Sequence, residues 1–192
     1  MKENFSIAKI SKPSALEILA NYHYLGPKFR AGHNYGLFCG GDLVGVAIFA
    51  GFPVPELVKG CFGLDRCDQA GFFELSRLCL LPEIQKTEHN ITSWFLSRAI
   101  RLLREETNVR AILSYADADH HTGTIYRACN FGYYGLTAAR PDFWIKQGDG
   151  TYKKHSRGAV KGLVGEWRPR SRKHRFLLVY DKKLTCLWKK EA

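Results

Sequence analysis

Acidic residues are scarce in this chain. Asp and Glu number 18 against 29 Lys and Arg over 192 residues, a formal net charge of +11. Also missing is any apolar run long enough to span a bilayer, and residues 1–10 lack the hydrophobic stretch of a secretory signal. These absences predict a soluble protein of the cytoplasm, with no membrane partner. No Cys-x-x-Cys pair occurs among Cys39, Cys61, Cys67, Cys79, Cys129 and Cys186. Cys39, Cys79 and Cys129 sit in or beside apolar runs, so the set reads as reduced thiols rather than a zinc site or a disulfide framework. Cys61 and Cys67 fall in an irregular stretch and are left open. With 45% hydrophobic and 24% charged residues, disorder is excluded too.

What charge there is lies in one place. Residues 153–175 hold nine basic side chains, Lys153, Lys154, Arg157, Lys161, Arg168, Arg170, Arg172, Lys173 and Arg175, against the single acid Glu166. The segment therefore carries a net +8 of the total +11. Interleaved Gly162, Gly165, Trp167 and Pro169 suit a contact loop better than a plain basic tail, which favours nucleic acid over a solubilising segment.

Periodicity gives the elements. Strands are predicted at 5–10, 35–39, 43–50, 73–81, 109–116, 131–136 and 176–180, and helices at 13–24, 91–106 and 122–130. Gly40-Gly41-Asp42 marks a hairpin, Asn90 is placed to cap the helix 91–106, and residues 51–71 read as a functional loop. The order predicts one α/β domain over residues 1–192, a mixed, largely antiparallel sheet flanked by helices, with a basic insertion at about 153–175. Ligands of such sheets bind beyond strand ends, where Asp117 falls. Tyr126 follows on the next helix, so a carboxylate and a phenol could serve as base and acid across one cleft. Alternation over 73–81 predicts Glu74 and Ser76 on one face, opposite Arg77, with Glu74 either facing the acceptor or paired to an arginine.

The run Ile125-Tyr126-Arg127-Ala128-Cys129-Asn130-Phe131 resembles the tyrosine helix of GNAT-type acyltransferases. More specific are Tyr22-His23-Tyr24-Leu25-Gly26, Glu74-Leu75-Ser76-Arg77-Leu78, Asn90 with Ser93, and Tyr115-Ala116-Asp117 with Gly123-Thr124-Ile125-Tyr126. Taken in order, these are similar to the phage Mom family of DNA-modification proteins. The resemblance implies a GNAT-like fold and a transferase of the bacterial host cytoplasm. It would convert adenine in double-stranded DNA to its N6-carbamoylmethyl derivative, shielding phage DNA from restriction. It implies catalytic roles for His23, Tyr24, Glu74, Ser93, Asp117 and Tyr126, and cofactor contacts at Leu78, Gln85, Lys86, Asn90 and Ser93.

The donor stays open between acetyl-CoA and an aminoacyl carrier such as glycyl-tRNA, which would make tRNA a partner. The product carries a terminal amide that a plain acetyl group lacks, and residues 85–90 have no glycine for the usual pyrophosphate turn. A cation on His120, His121, Asp117 and Asp119 is a further alternative. Duplex DNA would require base flipping, for which Tyr24, Phe29, Tyr35 and Phe52 are candidate walls. The competing functions are an N-acetyltransferase acting on a protein or small amine, and a DNA-binding module without catalysis.

Overall fold

The computed structural model describes residues 3–155 and 158–191, so Arg157 of the basic segment lies outside the described residues. Strand β1 (Phe5–Lys9) leads into helix α1 (Lys12–Tyr22), whose first turn is capped by the Ser11 hydroxyl accepting from Ser14 N. Strands β2 (His33–Cys39) and β3 (Asp42–Gly51) form the expected hairpin, turning through Gly40 and Gly41, both at positive φ. The stretch 51–71 is not wholly loop: it holds helix α2 (Glu56–Phe62). A seven-residue helix has too few turns to show a period, but Val58, Cys61 and Phe62 are buried against Phe52 and Phe72. Burial, rather than propensity, holds it.

Strand β4 (Phe72–Leu80) is followed by a short helix α3 (Pro82–Thr87) and the long α4 (Ile91–Glu106). Along α4, Ile91, Phe95, Leu96, Ala99, Ile100 and Leu103 are buried. Each large side chain there contributes on the order of 1.5–3 kcal/mol. Asn90 stands at its N-terminus, yet its side chain makes no cap bond; its backbone is left-handed, φ 56°. Strand β5 (Ala111–Asp117), helix α5 (Thr124–Ala128) and strand β6 (Gly132–Leu136) come next. The rest of the chain supplies β7 (Asp142–Lys146), β8 (Tyr152–Lys154), β9 (Gly165–Arg168) and β10 (Lys173–Val179).

The main sheet has the order β1-β2-β3-β4-β5-β10-β6 and is antiparallel except for the pair β4 and β5. Helix α4 packs on one face; α1, α2 and the segment carrying Leu184, Cys186 and Trp188 cover the other. The fold is thus the mixed, largely antiparallel α/β sheet that the sequence predicts. The region 153–175 is not a free loop, however. Strands β8, β7 and β9 make a second, three-stranded sheet, while Lys173 and Arg175 already belong to β10.

Two irregularities create the site. The parallel pairing of β4 with β5 runs only from Phe72↔Ala111 to Leu75↔Ser114, although both strands continue beyond it. A gap therefore opens between them. Second, Ile48 pairs with Arg77 and Phe49 with Leu75, leaving Ser76 as a bulge whose hydroxyl donates to Ile48 O at 3.2 Å. The extra residue resets the alternation, so Arg77 shares a face with Glu74 instead of opposing it. All six cysteines are free thiols. Cys61 sits buried in α2 with its Sγ 3.9 Å from that of Cys186, while Cys67 is exposed.

Candidate active site

The gap between β4 and β5 opens into a cleft with two compartments. The larger, of about 310 Å³, is mainly apolar and is lined by Tyr22, Leu78, Cys79, Leu80, Pro82 and Ile125, with Gln85 and Thr92 at its edge. The smaller, of about 110 Å³, is polar and is lined by Glu74, Ser76, Arg77, Tyr115, Asp117 and Lys173. His23, Tyr24, Leu78, His121 and Tyr126 border both. Asp117 and Tyr126 therefore do meet in one cleft.

Asp117 ends β5 and is only 8% exposed. Its Oδ2 accepts from the Ser171 hydroxyl at 2.7 Å and its Oδ1 from the Asp119 backbone N–H at 3.1 Å. Burial alone would raise its pKa, but these two donors, with His120 and Lys173 nearby, hold it below the ordinary carboxylate value. It is an anion at neutral pH. Tyr126 lies on α5, whose start at left-handed Gly123 is fixed by packing: a Cβ there would come within 2.1 Å of Phe176. The Tyr126 ring packs on Phe176 at 5.0 Å and Phe131 at 5.7 Å, and its hydroxyl shares a hydrogen bond with Ser114. Burial raises its pKa, so it remains a protonated phenol.

His23 terminates α1. Burial first, then the charges of Arg77 and His121, lower its pKa to about 4. Its Nδ1 accepts from Leu25 N at 3.1 Å, which leaves the proton of the neutral ring on Nε2. His23 is thus a donor, not a base. The ring stacks on Tyr24 at 4.9 Å, and Tyr24 in turn touches His120 and His121. Glu74 is ion-paired with Arg30, which also donates to Phe52 O at 3.1 Å. The arginine-paired alternative is the one the structure adopts.

Other expected residues stand elsewhere. The Ser93 hydroxyl donates to Asn90 O at 3.1 Å and lines a depression that shares Gln85, Thr92, Thr124 and Ile125 with the apolar compartment, so Ser93 is not brought together with the polar compartment that holds Asp117. Leu78 and Gln85 border the apolar compartment, whereas Lys86 is exposed and borders no cavity described above. Of the proposed aromatic walls, Tyr35 and Phe52 are buried in the core and Phe29 packs beside α1, leaving Tyr24, 53% exposed, in the cleft. Among the described residues, no three His, Cys, Asp or Glu side chains are grouped so as to hold a metal ion. No described helix is long and apolar enough to cross a membrane.

The basic residues divide as well. Lys153, Lys161, Arg170 and Arg172 are exposed, Lys154 pairs with Asp142 at 2.5 Å, and Arg168 pairs with Glu166 at 2.6 Å. Lys173 turns into the polar compartment. Arg175 is half-buried, with its guanidinium 4.7 Å from the Trp188 ring, so a surface DNA contact is the wrong role for it. Sequence reasoning missed Arg77, concealed by the bulge, and Ser171, which sits 54 residues from the carboxylate it holds.

The fold is similar to that of solved GNAT acetyltransferases. A ribosomal-protein-S18-alanine N-acetyltransferase from Escherichia coli superposes with a TM-score of 0.55 at 13% identity, covering 91% of this chain and 93% of that one. An IAA acetyltransferase from Bacillus cereus gives 0.56 at 10%, covering 92% and 99%. A GNAT family acetyltransferase from Elizabethkingia anophelis with acetyl-CoA bound gives 0.53 at 12%, covering 93% and 99%. These likenesses define the fold class. Within it, the chain belongs to the Mom protein family, whose sequence model matches residues 4–190. A search of curated proteins returns no match.

Proposed function

We propose that this protein is a DNA-modifying transferase that acylates the exocyclic amine of adenine in double-stranded DNA, drawing on an acyl-CoA donor. One observation carries the reading: the phenol of Tyr126, in the same cleft as Asp117, borders both an apolar and a polar compartment. A protonated hydroxyl at that junction can serve a reaction between two substrates that enter from different sides.

The apolar compartment suits the arm of a CoA thioester. The adjoining turn lacks glycine, but Asn90 itself takes the left-handed backbone that glycine would otherwise supply. A bound CoA thioester supplies an acyl carbon activated toward amines. The amine of adenine is a weak nucleophile because its lone pair is delocalised into the ring, so it needs a base as the bond to carbon forms. Asp117 accepts that proton; each of its oxygens retains a lone pair beyond the one taken by Ser171 or Asp119. Tyr126 gives its proton toward the departing sulfur. His23, fixed as a donor, and Tyr24, as a stacking wall, hold the base. Arg170, Arg172, Lys153 and Lys161 receive the phosphates.

The carbamoylmethyl product that the Mom resemblance implies ends in an amide, so acyl transfer is one step of a longer sequence there. A nitrogen-bearing two-carbon unit, glycyl included, would meet that need directly. The acetyl-CoA-bound relative favours the CoA thioester. Shielding phage DNA from restriction enzymes is the biological role that follows.

Mass spectrometry of nucleosides from cells producing the protein tests the reading. Modified deoxyadenosine that disappears in Asp117→Asn is expected. Unmodified DNA alongside acetylation of a protein or small amine would replace it with an ordinary N-acetyltransferase.

A further inference from the structure

Trp167 stands in an unusual position. Strand β9 alternates, and Arg168 turns to one side, where its guanidinium lies 4.8 Å from the Trp144 ring and 4.4 Å from that of Tyr152. Trp167 turns to the other, meets the edge of the Phe143 ring at 5.2 Å and 62°, and remains 58% exposed. The indole forms one wall of a shallow cavity of about 330 Å³, completed by Ala139, Pro141 and Pro169 with Arg140 and Arg170 on its rim. Arg140 is exposed and Arg170 is held by Asp142 at 3.7 Å.

Apolar walls, a flat exposed ring and flanking guanidinium groups are what an unstacked nucleobase requires. The ring offers a stacking face of any base, and the arginines meet the phosphates on either side. A peptide of opposite charge would need only the arginines and would leave the indole unused. Position agrees with this. Ser171, whose hydroxyl touches Asp117, is four residues on from Trp167, so their Cα atoms lie at most about 14 Å apart. That is roughly four base steps of a duplex.

We infer that Trp167, with Pro141, Pro169, Arg140 and Arg170, forms a stacking pocket for an unpaired base of the DNA strand whose target adenine occupies the cleft. The inference rests on the proposed DNA substrate. Drawing a base out of the duplex leaves its neighbours and partner unstacked, and a platform near the site stabilises that opened state.

Fluorescence anisotropy tests it with three labelled DNAs of one length: a fully paired duplex, a duplex with one bulged base, and a single strand. The unaltered protein should bind the bulged duplex more tightly than the paired one. Trp167→Ala should cut that preference by about 5- to 150-fold, the range of one base–aromatic stack, while Trp167→Phe keeps most of it. Matching melting temperatures for the variants would separate loss of stacking from loss of fold. An unchanged preference in Trp167→Ala overturns the pocket and leaves the DNA reading standing. Failure of the unaltered protein to bind any of the DNAs overturns both.

Discussion

The Ser171 hydroxyl donates to Oδ2 of Asp117 at 2.7 Å, and Ser171 lies between Arg170 and Arg172. A carboxylate at the centre of the cleft is thus steadied by a residue whose neighbours face the proposed DNA backbone. The Arg172 side chain donates to Thr137 O at 2.7 Å and its carbonyl accepts from Ala118 N at 2.9 Å, so the serine is held from both sides of the turn.

Ser171→Ala should raise the pKa of Asp117, because the mutation removes one of the two donors that depress it. A depressed carboxylate contributes stability that is present above its unfolded pKa and lost as pH falls through the folded value. The variant should therefore lose less stability on acidification than the parent, and be about 1.5–3 kcal/mol less stable at neutral pH, where the hydroxyl's acceptor is charged. Carbon-detected NMR titration of the Asp117 carboxyl, with melting curves against pH, would check both.

Tyr126→Phe keeps the ring contacts with Phe131 and Phe176 and removes only the hydroxyl. Thiol release from an acyl-CoA should fall about 10²- to 10⁴-fold, the usual worth of a general acid, with little change in melting temperature. Full activity in this variant would remove the phenol from the mechanism.

His23 gives an acid-side signature of the same sign, beginning at higher pH. Its folded pKa of about 4 lies below the ordinary histidine value of 6.5, so folding favours the neutral ring. Stability should be complete above about pH 6.5 and decline as pH falls from there toward 4. His23→Gln should flatten that decline in a series of thermal melts. A slope that stays the same would show that the ring is not the group responsible.

Gly123→Ala combines left-handed strain, φ +78°, with a Cβ placed 2.1 Å from Phe176. A cost of about 2–5 kcal/mol is expected from the two effects together. Urea unfolding would measure it. Because Tyr126 N bonds to Gly123 O at 3.0 Å, activity should fall further than stability alone accounts for.

If DNA is held by about five phosphates, log affinity should fall against log salt with a slope near −4.5. Replacing exposed Lys153 and Lys161 by Gln should each flatten the slope by about 0.9. A flat response in the parent protein would remove DNA as the substrate.

Long periodic elements were legible in the sequence: α4 by its apolar stripe, and the β2–β3 hairpin by Gly40 and Gly41. Asp117 and Tyr126 were legible because a strand end and the next helix are close in the chain. Helix α2 was hidden by its brevity, and the arrangement of Arg77 by a bulge that depends on pairing with β3. The small sheet was obscured by charge. Lys154 and Arg168 read in the sequence as phosphate contacts, whereas in the fold they pair with Asp142 and Glu166. Ser171 and the Cys61–Cys186 contact join distant segments, which no local pattern records.

Strand β10 lies between β5 and β6 although it is made after both. Its first residue pairs with Asp117, so a strand made after β5 and β6 completes the wall of the cleft. A ribosome must release the chain through β10 before the carboxylate gains its serine partner. Translation products that stop before β10 therefore lack the assembled centre.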